Sequence, residues 1–167
     1  MNLLFAGSSV AQNDWVQSYN SGYTDKKGKF AGGSEIMHLV IHKGKIYAAN
    51  GYWMDARWVI PPIGQRQSAQ VLRLNSSESE WQVDLDTGLS NDHGLEYMKG
   101  NVLKSVTFTR DENGNKLEEP VNLLVMASGA NFERGGAVSS WVRDDDLGNW
   151  HHTLVRHGST NGGVRWV

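Results

Sequence analysis

The chain has no cysteine in its 167 residues. Disulfides and thiolate metal sites are therefore excluded, and cysteine pairing says nothing about redox compartment. An excess of one charge is also lacking, with 16 Lys and Arg against 18 Asp and Glu for a net charge of −2. A nucleic-acid groove or an anionic membrane surface calls for a basic surplus, so neither is expected as a partner. No apolar run reaches the roughly 18 residues that a membrane helix needs. Missing too are a phosphate loop, a dinucleotide fingerprint, a nucleophile elbow and a metalloprotease helix. Stretches with helical periodicity are absent as well. An enzyme reading would have to rest on side chains gathered from distant parts of the chain.

The first residues are short of a complete targeting segment. Leu3-Leu4-Phe5-Ala6-Gly7 is an apolar stub, and Ser9-Val10-Ala11 before Gln12 has the small residues that a signal peptidase favours. A basic start and a longer apolar core are missing. Two readings follow: the tail of an export signal, which places the protein outside the cell or in the periplasm, or an ordinary chain terminus.

What the chain does have is period-2 alternation, 10% aromatic residues and 19 glycines spread among turn-like clusters. Met37, Leu39 and Ile41 alternate with His38, Val40 and His42. A tight turn at His42-Lys43-Gly44-Lys45 then returns the chain through Ile46 to Asn50. A second hairpin runs from Ala69 to Gly88, its return strand opening on Trp81. The same order recurs: Leu103 to Thr109, a connection at Asp111 to Pro120, Val121 to Ser128, and a hairpin from Gly136 to Gly158 opening its return strand on Trp150, 69 residues after Trp81. The repeating unit is four antiparallel strands in about 70 residues, longer than the roughly 40 to 50 residues of common propeller blades. Differences between the copies fall in the connections, as expected if strands form the core.

Strand order, the glycines Gly51 and Gly129 closing the second strands, and the tryptophans opening the fourth resemble the blades of a β-propeller, closest in style to kelch and sialidase-type propellers. Arg143-Asp144-Asp145-Asp146-Leu147-Gly148-Asn149-Trp150 is similar to the Asp-box turn of the latter, one residue short and with the Ser/Thr displaced. The resemblance implies an all-β fold of antiparallel four-stranded blades. It divides the chain into an N-terminal segment (1–33), a first blade (34–88), a second blade (89–158) and the first strand of an incomplete third (159–167). Closed propellers use about four to eight blades, and open sheet edges invite pairing with another chain. A homo-oligomer that completes the propeller is therefore expected, with a piece of a longer propeller as the alternative.

In a blade, hairpin turns lie at one end of the sheet, and crossovers and inter-blade links lie at the other, which propellers commonly use for ligands. That second end carries Tyr52, Trp53, Asp55, Arg57 and Trp58 in one connection, Asp92, His93 and Tyr97 in the next, and Asn131, Phe132, Glu133 and Arg134 in a third. Aromatic faces beside a carboxylate and a guanidinium suit a sugar ring or a planar cation. The same residues suit packing or a protein interface. His93, between Asp92 and Glu96, is the best general acid/base candidate, and a glycan-directed hydrolase or lyase would place a carboxylate pair near Trp53. The expected function is a non-catalytic recognition or scaffold module with a carbohydrate-like or protein ligand. The alternatives are that hydrolase or lyase and a structural fragment without a ligand.

Two further clusters carry residues of the kind that ligate metals. Asp111, Asn113 and Asn115 supply oxygens at alternate positions, as calcium loops do, but an Asn-Gly turn with solvated flanks explains the same residues. His38 and His42 share a strand face about 13 Å apart, too far to ligate one ion alone. No cofactor is otherwise expected.

Overall fold

In a computed structural model, residues 17–52, 67–88, 97–129, 138–158 and 164–166 are described, with those after Leu154 as backbone only. Eleven strands lie in three antiparallel sheets, and no helix occurs among the described residues. The first is a two-stranded ribbon, β1 (Tyr23–Thr24) and β2 (Phe30–Ala31). The second has the order β3 (Glu35–His42), β4 (Lys45–Gly51), β5 (Gln70–Leu74), β6 (Gln82–Asp86). The third contains β7 (Val102–Arg110), β8 (Lys116–Gly129), β9 (Val138–Asp144) and β10 (Asn149–Gly158) in the same order, with β11 (Val164–Trp166) added beyond β10.

All four hairpins read from the sequence are present, with local chemistry that explains each turn. Lys43 and Gly44 both have positive φ, 45° and 74°, which matches the twist of the flanking strands in a two-residue turn. The turn between β7 and β8 is shorter than expected, only Asp111 to Asn115, and Pro120 lies inside β8. Pairing there jumps from Phe108↔Val121 to Arg110↔Lys116, and Pro120, which has no N–H to donate, falls in the interrupted stretch. A second difference is at the C-terminal end. The expected opening strand of a third unit instead pairs antiparallel with β10, through Arg156↔Trp166 and Gly158↔Val164. Its short link to β10 favours hairpin pairing with the strand just before it.

The ribbon β1–β2 leaves no pattern in the sequence, because two-residue strands carry no periodicity. Its turn is fixed by Asp25, whose Oδ1 accepts the backbone N–H groups of Lys27 and Lys29 at 2.8 and 2.9 Å. Asp111 caps its own turn in the same manner, accepting from Asn113 and Asn115 at 3.0 and 2.8 Å. A glycine with positive φ, Gly28 or Gly114, stands three residues after each aspartate.

Two apolar cores separate the three sheets. Ala31 from the ribbon joins Ala48, Leu72, Leu74, Trp81 and Val83, with Tyr19 and Tyr23 packed on them. The larger core lies between the second and third sheets and includes Tyr47, Ala49, Val71, Leu85, Leu103, Leu124, Met126 and Trp141. Register makes the two repeats comparable. Ala48 pairs with Leu72 and Leu72 with Val83, as Met126 pairs with Trp141 and Trp141 with His152. In the first repeat that set faces the ribbon; in the second, Met126 and Trp141 face the first repeat. Opposite faces of the repeat are therefore apposed, and the sheets stack head to tail. One consequence reverses the usual inside-outside rule: Leu39 and Ile41 are 65% and 71% exposed, while His42 on the same strand is buried.

Candidate functional site

The densest polar cluster among the described residues lies between the second and third sheets, at the hairpin-turn end. Asp84 is brought there by a β-bulge. Val71 pairs with Leu85 but Leu72 with Val83, so Asp84 is the extra residue of β6, and bulges re-aim side chains in this way. Its carboxylate, 2% exposed, accepts from Arg143 Nε at 2.7 Å and from the Trp150 indole N–H at 2.8 Å. Arg73 completes an ion pair with it at 3.2 Å.

Arg143 continues the chain of contacts. Its guanidinium donates to Asp145 Oδ1 at 2.5 Å and stands over the Tyr47 ring, 5.4 Å from the centroid. Asp145 Oδ2 meets Lys43 Nζ at 2.9 Å and His42 Nε2 at 2.8 Å. On the other side of the imidazole, His42 Nδ1 meets Ser105 Oγ at 2.8 Å, and Ser105 donates to Asn122 Oδ1 at 3.2 Å. The path crosses between the sheets three times, at Asp84–Arg143, Asp145–His42 and His42–Ser105.

Burial and charge act in opposite directions here. Burial raises the pKa of the Asp145 carboxyl, but hydrogen bonds from Lys43, His42 and Arg143 outweigh it and hold the group far below the usual carboxylate range. Burial lowers that of Arg143, and the hydrogen bond and charge of Asp84 more than restore it. Burial raises the Tyr47 phenol, which stays neutral. The network thus sets two carboxylates against three cationic side chains, with its hydrogen-bonding capacity largely used internally.

Ser105, His42 and Asp145 have the order of a hydrolytic relay, a hydroxyl and a carboxylate on opposite nitrogens of one imidazole. Their setting differs. A relay carboxylate stabilises the imidazolium formed during catalysis, whereas Asp145 is shared with Lys43 and Arg143. His42 is enclosed, its side chain 0% exposed and set edge-on to Tyr47. The arrangement fits a lock between sheets better than a moving proton.

Of the residues singled out in the sequence, Tyr52 and Tyr97 are described, and both are fully buried. Tyr52 stands where the crossover leaves the second sheet, its N–H donating to Met98 O at 3.0 Å, and Tyr97, in the link between β6 and β7, accepts at its carbonyl from the N–H of Ala69, where the crossover rejoins, at 2.8 Å. The Tyr97 hydroxyl meets Ser139 Oγ at 2.5 Å and its ring packs edge-on to Trp141 at 4.9 Å. Trp53, Asp55, Arg57, Trp58, Asp92, His93, Asn131, Phe132, Glu133 and Arg134 lie outside the described residues. His38 Nε2 contacts Asn101 O at 2.8 Å. His152 stacks on Trp141 at 4.9 Å, and His151 is exposed beside Asp144.

The Asp111 carboxylate is engaged within its turn, with Oδ2 accepting from Asn115 Nδ2 at 3.1 Å. Among the described residues, no group of three His, Cys, Asp or Glu is placed to hold a metal ion. A depression of about 580 Å³ opens beside the network, lined by Lys43, Val121, Leu123, Val142, Asp145 and His151 among others. Comparison of the chain with protein-family models, with curated proteins and with solved structures finds no match in any of the three.

Proposed function

We propose that this chain is a non-catalytic recognition or scaffold module, built from blade-like units of the β-propeller kind, that takes a carbohydrate-like or protein ligand at its crossover end. The observation that carries this reading is the head-to-tail stacking of the repeats. Stacking of that kind turns each sheet into a rigid support and brings to one end the strand ends that the crossovers join, Gly51 and Gln70 in one repeat and Gly129 and Val138 in the other. The opposite end is committed to internal contacts, through Asp84, Arg143, Asp145 and His42.

The crossover between Tyr52 and Ser68 holds the residues best suited to a sugar or planar cation: Trp53, Asp55, Arg57 and Trp58. Both of its roots, Tyr52 and Ala69, are anchored by backbone hydrogen bonds into the core. Immobilised oligosaccharides provide the test. Saturable binding by the wild type and its loss in Trp53→Ala, with an unchanged melting temperature, is the expected result. Binding unaffected by that substitution removes the loop from the site, and an array with no binding removes the carbohydrate reading and leaves a protein ligand.

A further inference from the structure

Among the described residues, the stacking pattern leaves two apolar surfaces uncovered, and they match. In the second sheet, the ribbon β1–β2 covers Leu72, Leu74 and Val83 on the outer strands and reaches Ala48 on β4. The inner strands β3 and β4 carry Leu39, Ile41 and Ile46 on the same face, 65%, 71% and 38% exposed. Register identifies what should lie there. Leu39 pairs with Ala48 as Leu103 pairs with Met126, and in the third sheet Leu103 and Met126 are covered by the inner strands of the preceding repeat. The strip is therefore a seat for a two-stranded hairpin.

The third sheet supplies the complementary surface. Val106 and Phe108 on β7 pair with Leu123 and Val121 on β8, and this face of the hairpin points away from the second sheet. Phe108 and Val121 are 44% and 45% exposed. Val125 on the same face is the register counterpart of Tyr47, which in the first repeat is buried against the next sheet. Beyond Val125↔Val142 the β7–β8 hairpin runs on past its β9 neighbour, so its end projects and can enter a seat only two strands wide.

We infer that the occupant of the strip is a second copy of this chain, whose β7–β8 hairpin docks on Leu39, Ile41 and Ile46 beside the ribbon. The inference rests on the stacking part of the reading proposed above and not on its ligand. The two surfaces differ, so the contact is heterologous and each copy has one of each.

That asymmetry gives a decisive experiment by sedimentation equilibrium on the full chain. Wild-type protein shows a weight-average mass that rises with concentration up to about 100 µM. Ile41→Glu spoils the seat and Phe108→Lys spoils the hairpin; each alone raises the apparent dissociation constant about tenfold or more. Both positions are exposed, so neither change disturbs folding, and unchanged circular dichroism melts confirm this. Mixed in equal amounts, the two variants associate again, because the first keeps an intact hairpin and the second an intact seat. A monomeric wild type at ~100 µM, or association that both variants leave intact, overturns the inference. So does a mixture no more associated than its components. Oligosaccharide binding is read separately, so failure here leaves the ligand reading standing.

Discussion

The molecule contains two sheet-to-sheet interfaces built on the same plan and fastened by different chemistry. Each has a tryptophan at the start of a fourth strand whose indole N–H reaches the preceding layer: Trp81 to Ser18 Oγ at 3.2 Å, Trp150 to Asp84 Oδ2 at 2.8 Å. Between ribbon and second sheet, the fastening is mostly neutral. Gln70 donates to Phe30 O and accepts from Gly32 N–H, and Asn50 donates to Gly32 O. The Tyr19 hydroxyl also donates to Gly32 O; Asp25 brings a buried charge, accepting from Val83 N–H at 2.9 Å, and an exposed ion pair joins Lys26 to Glu80 at 3.3 Å. Between second and third sheets, ionised side chains are bonded to one another. Amides on backbone position a short segment cheaply, whereas an ion network is specific in register but destabilising when incomplete.

Removing one charge from the network should therefore have the largest effect. Asp84→Ala leaves Arg143 and Arg73 without their shared carboxylate, and chemical denaturation should show a loss of about 3–5 kcal/mol. Asp25→Ala, its counterpart at the neutral interface, removes an acceptor from three backbone N–H groups and should cost about 1–3 kcal/mol. Hydrogen exchange should confine the second effect to the ribbon and to Val83. An equal loss for both would mean that the charge network adds nothing to the plan.

The tryptophans sharpen the comparison at smaller scale. Replacement by Phe keeps most of the ring and deletes only the indole donor. Trp150→Phe should cost about 1.5–3 kcal/mol, since its acceptor is ionised, and Trp81→Phe about 0.5–1.5 kcal/mol. The reverse order in thermal melts would contradict the assignment of the lock to Asp84.

Acid should separate the interfaces as well. Asp145 and Asp25 both have lowered pKa values, each through hydrogen bonds that outweigh the opposing effect of burial. A carboxyl lowered on folding stabilises in full above its unfolded pKa of about 4, and that stability is lost as pH falls through the folded value. Stability should accordingly decline below about pH 4. Asp145→Asn should be less stable at neutral pH yet show a shallower acid decline than the wild type. Ser105→Ala should have the smallest effect, about 1 kcal/mol or less, and a fluorophosphonate probe should leave Ser105 unmodified. Labelling at Ser105 would make the Ser105–His42–Asp145 path a catalytic one.

Much of this plan was legible in the sequence, and the reason is the period of two. Alternation around Leu39, Val71, Val106 and Val138, with turn residues between, places all eight strands of the two repeats. It does not say which face meets which neighbour. In β3 both sides of the alternation have a role, so Leu39 and Ile41 read as core although His38 and His42 face the third sheet. The lock was invisible for a different reason. His42 meets Ser105 and Asp145 across 63 and 103 residues, and Arg143 meets Asp84 across 59. Separations of that size depend on how sheets stack, which local propensity does not encode. One signal was present: Asp84 interrupts the apolar pair Val83 and Leu85, and a lone carboxylate there needed a cation from elsewhere.

Val83 and Leu85 are two residues apart and in a regular strand would point the same way, yet they belong to different cores. The spare residue between them lets β6 change sides halfway along, so that one short strand serves both of its neighbours. Deleting Asp84 is then a different experiment from replacing it: the strand would straighten, Leu85 would swing toward the ribbon, and the larger core would lose a wall as well as a charge. A single surplus position sets the handover from one layer to the next.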